Sequence, residues 1–129
     1  MLEITDYMTV EEIMDKLYHE YGEEFNWHMI PFSQASRGHF IEELKKELGE
    51  DNDFFETDVY AVAKCDSNDD VLYATSKSEN DEDEIWRIYH LTYSPINKNG
   101  FPKFVEFSSR KAAMEYIRDE FEREYASCK

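Results

Sequence analysis

EIWRIYHLTY, residues Glu84 to Tyr93, carries apolar or aromatic side chains at both parities, with Trp86 and Ile88 facing one way and Ile85, Tyr89, Leu91 and Tyr93 the other. A strand that is apolar on both faces is covered by protein on both. The pattern therefore predicts a central strand of a sheet. The same stretch holds Arg87, His90 and Thr92, polar groups that need partners if they are buried, so it is also the first place to look for chemistry.

Upstream of this strand, Val59, Ala61, Ala63 and Cys65 alternate with Tyr60, Val62 and Lys64, which predicts a strand over Val59 to Cys65. Asp66 to Asp70, DSNDD, is a turn-forming cluster that joins it to a second strand, Val71 to Thr75, in a hairpin. Lys77 to Asp83, KSENDED, is a polar turn into the central strand. Downstream, Ser94 to Pro102, SPINKNGFP, reads as a loop, and Lys103 to Phe107, KFVEF, as a short fourth strand.

Helices flank the strands. Thr9 with Glu12 forms a capping-box pattern ahead of Val10, Ile13, Met14, Leu17, Tyr18 and Tyr21 at helical spacing, and Gly22 ends the run. Ser36 is placed to cap a second helix with Phe40, Ile41, Leu44 and Leu48 on one face and Gly49 at its end; Glu42, Glu43, Lys45, Lys46 and Glu47 lie off that stripe. Ser108 or Ser109 caps a last helix bearing Ala113, Met114, Ile117, Phe121 and Tyr125. Between the first two helices, Glu23 to Ala35 has no period, and its residues Phe25 to Phe32 are either core or interface, with burial the expectation for a small protein.

Short turns between successive strands and helices grouped toward the ends imply one α+β domain over residues 1–129. Its expected architecture is two-layered: an antiparallel four-stranded meander with two N-terminal helices and one C-terminal helix. With 129 residues, nine Phe, nine Tyr and two Trp, the chain has ample material for a single core and is too rich in aromatics for a disordered acidic segment. No apolar run approaches the roughly 18 residues that span a bilayer, and the first residues, MLEITDYM, are acidic where a signal peptide is basic. These features predict a soluble cytoplasmic protein, in which Cys65 and Cys128 stay reduced.

The net charge of −16 is concentrated: Glu50 to Glu84 holds 13 acidic residues against Lys64 and Lys77, a local net of −11, whereas Pro95 to Lys129 nets +1. Such a field repels nucleic acid and anionic membranes and speeds encounter with cationic partners. Its ordinary consequence is solubility.

Asp69-Asp70-Val71-Leu72-Tyr73, then Trp86 to Ser94 (WRIYHLTYS), then Gly100-Phe101-Pro102 follow one another in an order that resembles a small uncharacterised bacterial family with a DDVL, W…HLTWS, WP pattern. The resemblance covers Asp58 to Phe107 and departs at Tyr93 and Phe101, where the family pattern has Trp. Both replacements are aromatic, so the resemblance implies conserved packing in the middle of the sheet.

Candidate chemistry centres on His90. Pairing of the second strand with the third brings Asp70 toward His90, and a carboxylate that orients an imidazole begins a general-base site; with Tyr93 and Arg87 these residues would form the site of a small enzyme or ligand-binding domain. As ordinary structure, Asp69 and Asp70 suit a turn, His90 a hydrogen-bonded core position and Arg87 a cross-sheet ion pair. His28, His39 and His90 lack metal-ligand spacing, and Gly22, Gly38, Gly49 and Gly100 form no phosphate loop, so no metal or cofactor is implied. The other reading is an acidic protein-binding or regulatory protein, immunity-like, antitoxin-like or an inhibitor, that covers a basic protein partner. Glu79, Asp81, Glu82 and Asp83 would supply the charge and Trp86 an aromatic anchor. That reading is favoured, because charge and aromatics are abundant and catalytic motifs are not.

Overall fold

Two of the three described helices form where capping and apolar spacing agree. The computed structural model describes residues 4, 5, 7–49, 51–76, 85–94 and 102–127. Helix α1 runs Val10–Tyr21, and Thr9 closes the capping box with Glu12: the Thr9 side chain accepts from the Glu12 N–H at 3.1 Å while Glu12 Oε1 accepts from the Thr9 N–H at 3.4 Å. Helix α3 runs Arg110–Ser127, with Ser109 Oγ accepting the Ala112 N–H at 3.1 Å. Helix α2 runs His39–Leu48, and here the expected cap is displaced. Gly38, not Ser36, stands at the N-cap with φ +124°, and a Cβ there would lie 3.2 Å from Gln34 Cβ, so both backbone angle and space call for glycine.

The sheet has five strands, not four. They are β1 Trp27–Met29, β2 Asp58–Cys65, β3 Asp70–Ser76, β4 Trp86–His90 and β5 Lys103–Phe107, all antiparallel, in spatial order β1-β2-β3-β4-β5. The added strand lies inside the aromatic connector, where three residues are too few to show a period. It also makes β3 the middle of the sheet, with β4 one strand from the edge. The connector itself divides: Phe25, Trp27 and Ile30 are buried, while Phe32 is 95% exposed. The stretches 77–83 and 95–101, expected as a turn and a loop, lie outside the described residues, as does Cys128; Cys65 is a buried free thiol.

The sheet is also covered on both faces, so the domain has three layers instead of two. Val10, Ile13, Met14 and Leu17 of α1 and Ala113, Met114, Ile117 and Phe121 of α3 pack with Leu72, Ala74, Trp86 and Ile88. Ile41 and Leu44 of α2 pack with Val71, Tyr73, Tyr89 and Leu91 on the opposite face, joined by Phe54 from a short 3-10 turn over Asp53–Glu56. The two parities read from β4 separate as expected. Those of β2 do not, because the register shifts between Ala61, opposite Tyr73, and Ala63, opposite Leu72. This bulge at Val62 puts Val59 and Ala61 on the α2 side but Ala63 and Cys65 on the α1 and α3 side. An uninterrupted apolar alternation in sequence is therefore split between two cores. None of the described helices is long and apolar enough to cross a membrane.

Candidate functional site

His90 and Asp70 do meet. They are directly opposite in the β3–β4 ladder, on the α1 and α3 face, and His90 Nδ1 lies 2.7 Å from Asp70 Oδ1. The imidazole side chain is 57% exposed, at the rim of the sheet and not in its core. Arg87 and Tyr93 go elsewhere. Arg87 has the opposite parity, and its guanidinium is sandwiched 4.5 Å from the Phe54 ring and 4.4 Å from the Phe104 ring, with Nε 2.8 Å from Glu106 Oε1 and an N–H donated to Tyr89 Oη at 2.6 Å. Burial pushes the Tyr89 phenol up, and the Arg87 charge and hydrogen bond act against it. Arg87 thus staples β4 to β5 and to the turn that carries Phe54. Trp86 is buried in the core beneath α1 and α3. Glu79, Asp81, Glu82 and Asp83 lie outside the described residues.

Tyr93 belongs to a different cluster, which the helical pattern of α2 had not singled out. Glu43 and Glu47 are 9% and 8% exposed, so these two carboxyl groups are buried instead of solvated. Glu47 accepts from the Thr92 N–H at 2.8 Å, from Thr92 Oγ1 at 2.9 Å and from the Tyr93 N–H at 3.2 Å. Tyr93 adopts φ +54°, and the two successive N–H groups turned to one carboxylate form the kind of backbone nest that binds anions. The chain supplies its own anion. Tyr93 then lies stacked on His39, ring centroids 5.6 Å apart, with its hydroxyl 3.1 Å from His39 Nε2. The Tyr73 hydroxyl donates to the Phe40 carbonyl at 2.8 Å beneath them.

The two glutamates titrate as a pair. Burial raises Glu43 above the usual carboxyl range, and its hydrogen bond with Glu47 and the Glu47 charge add to the rise. Burial also works to raise Glu47, but the hydrogen bonds from Glu43, Thr92 and Tyr93 together outweigh it and hold Glu47 below the usual range. When the pair holds a single proton, Glu43 is the acid and Glu47 the carboxylate. Glu43 Oε2 is buried with no hydrogen-bond partner among the described residues, a position that costs a neutral carboxyl less than a carboxylate.

The remaining feature lies at the β1 edge of the sheet. β1 covers only Ala63 to Cys65 of β2, and beyond it Ala35 accepts the Ala61 N–H at 2.7 Å. Two open grooves flank the rest. One, about 590 Å³, lies on the α2 side and is lined by residues including Ile41, Lys45, Phe55, Asp58 and Val59; the other, about 510 Å³, includes Glu11, Met29, Phe32 and Val62. Tyr60 lines both. No group of three His, Cys, Asp or Glu side chains able to hold a metal ion occurs among the described residues. Comparison with protein-family models, curated proteins and solved structures gives no match.

Proposed function

We propose that the chain is a non-enzymatic binding or regulatory protein of the cytoplasm that covers a basic protein partner, in the manner of an immunity protein, an antitoxin or an inhibitor. One observation carries this reading. Phe32 stands 95% exposed beside Tyr60, 36% exposed, over a largely apolar groove, on a chain of net charge −16. An aromatic held out in water next to an apolar depression is an anchor in search of a cover, and the surrounding charge selects a cationic one. The run Glu79, Asp81, Glu82 and Asp83 adds long-range attraction.

The test is capture from a lysate of the source cell on immobilised protein at low and near-physiological salt, read by mass spectrometry. A basic protein retained in stoichiometric amount at low salt and released as salt rises is expected. Phe32→Ala should abolish its retention without altering the circular dichroism of the chain. Neutralising Glu79, Asp81, Glu82 and Asp83 together should weaken binding and flatten its salt dependence. Unchanged affinity in both variants would refute the reading.

A second reading, a small enzyme or ligand-binding domain, is favoured by the exposed imidazole of His90 held by Asp70. Under that reading His90→Ala removes activity or ligand binding and leaves folding intact.

A further inference from the structure

The grooves on either side of the β1 edge share a floor with an unusual property. Thr75 gives its N–H to the Ile85 carbonyl on the β4 side at 3.0 Å, and Thr75 is the antiparallel partner of Val59. In an antiparallel ladder a residue whose partner points away must itself point away, so the N–H and C=O of Val59 face the open edge. Ala61, two residues on, shows the same orientation by giving its N–H outward to Ala35. No hydrogen bond joins the outward groups of Val59 to another element among the described residues. β1, which would have covered them, ends its pairing at Ala63.

We propose that an extended, positively charged segment of a partner protein adds to the sheet alongside Asp58 to Tyr60, continuing the line of β1 and placing alternate side chains in the two grooves. The inference rests on the basic-partner reading above and names how that partner is held. A strand added at the usual spacing of about 4.8 Å would pair with Val59 and present its side chains alternately to the two faces of the sheet. On the α2 side they meet Ile41, Phe55 and Val59; on the α1 side they meet Met29, Phe32 and Tyr60. The charge of the segment follows from the net charge of −16 and from Asp58 and Glu11, one acidic residue lining each groove. Lys45, the cation lining the α2-side groove, is already placed 5.8 Å from the Phe55 ring centroid.

The experiment uses the full chain and a fluorescein-labelled hexapeptide of alternating lysine and valine, followed by fluorescence anisotropy at low salt. Binding is expected, with a loss of about tenfold when the peptide nitrogens on one edge are methylated, since each methyl removes a backbone hydrogen bond from a desolvated site. Val59→Pro removes the outward N–H without touching the ladder to β3 and should weaken binding by about the same factor. If that variant fails to fold, the methylated peptide on the unaltered chain still decides. Equal binding of the methylated and plain peptides overturns strand addition and leaves the basic-partner reading standing. Equal binding of a glutamate and valine peptide overturns the cationic occupant and that reading with it. Self-association of the chain that Val59→Pro abolishes overturns the proposal in favour of a second copy at this edge.

Discussion

Two acid-containing pairs sit at the same end of β4 on opposite faces of the sheet, and they are built differently. Asp70–His90 is a contact between two side chains at the rim, with the imidazole in water. Glu43–Glu47 is buried, and its principal partners are backbone N–H groups of the turn that follows β4. The first is an arrangement that the fold permits. The second is one that the fold needs, because it fixes a helix to a strand end and satisfies a backbone bend that few side chains tolerate. The pair that looks like chemistry is the less embedded of the two.

Truncation should separate them most sharply. Glu47→Ala leaves two partly buried N–H groups and the Thr92 hydroxyl without this acceptor, and a destabilisation of about 1–3 kcal/mol is expected in urea denaturation. A loss no greater than that of an exposed helix substitution would break the comparison.

Proton linkage offers a finer cut. The depressed pKa of Glu47 means that its contribution is present above the ordinary carboxyl range and is lost as pH falls through its folded value. The raised pKa of Glu43 means that its contribution is full below the ordinary range and is lost as pH rises through its folded value. The stabilisation due to the pair should therefore peak between the two. In Glu43→Gln the decline on the alkaline side should vanish while the acid limb remains, measured as denaturation midpoints across pH. The same variant should cost only about 1 kcal/mol at neutral pH, because the amide still donates to Glu47.

His90→Ala is expected to produce the smallest effect, within about 1 kcal/mol, as for other polar side-chain contacts at an exposed surface. A large loss of stability would show the rim pair to be as deeply tied into the fold as the buried one.

The sequence made the hairpin, the helix caps at Thr9 and Ser109 and the pairing of Asp70 with His90 legible, because each rests on neighbours in the chain or in the ladder. It hid the bulge at Val62, since Val59, Ala61, Ala63 and Cys65 all remain small or apolar whichever core they enter. Glu43 and Glu47 lie off the stripe read from α2, and their burial was hidden because the acceptor role of Glu47 depends on backbone groups in residues 92 and 93, which leave no side-chain signature. A signal was nonetheless present. Counting from Phe40, positions 43, 44, 47 and 48 are those of an inward helix face, and two of the four are acidic. The α2 layer was misplaced for a related reason: an amphipathic stripe says that a helix packs, not against which side of the sheet.

The order of the strands along the chain is also their order in the sheet, so each of the pairings from β2 to β5 joins chain neighbours. Among the described residues, only β1 reaches across an inserted helix, from Met29 to Ala63, to find its place. A three-residue pairing that closes the longest of these loops has the most chain entropy to overcome and the fewest bonds with which to do so. β1 is therefore the edge expected to form last and to open first. A partner laid in line with β1 would act at this weakest seam, so that complex formation and local closure of the sheet become one event, and the occupied protein resists opening where the empty one breathes.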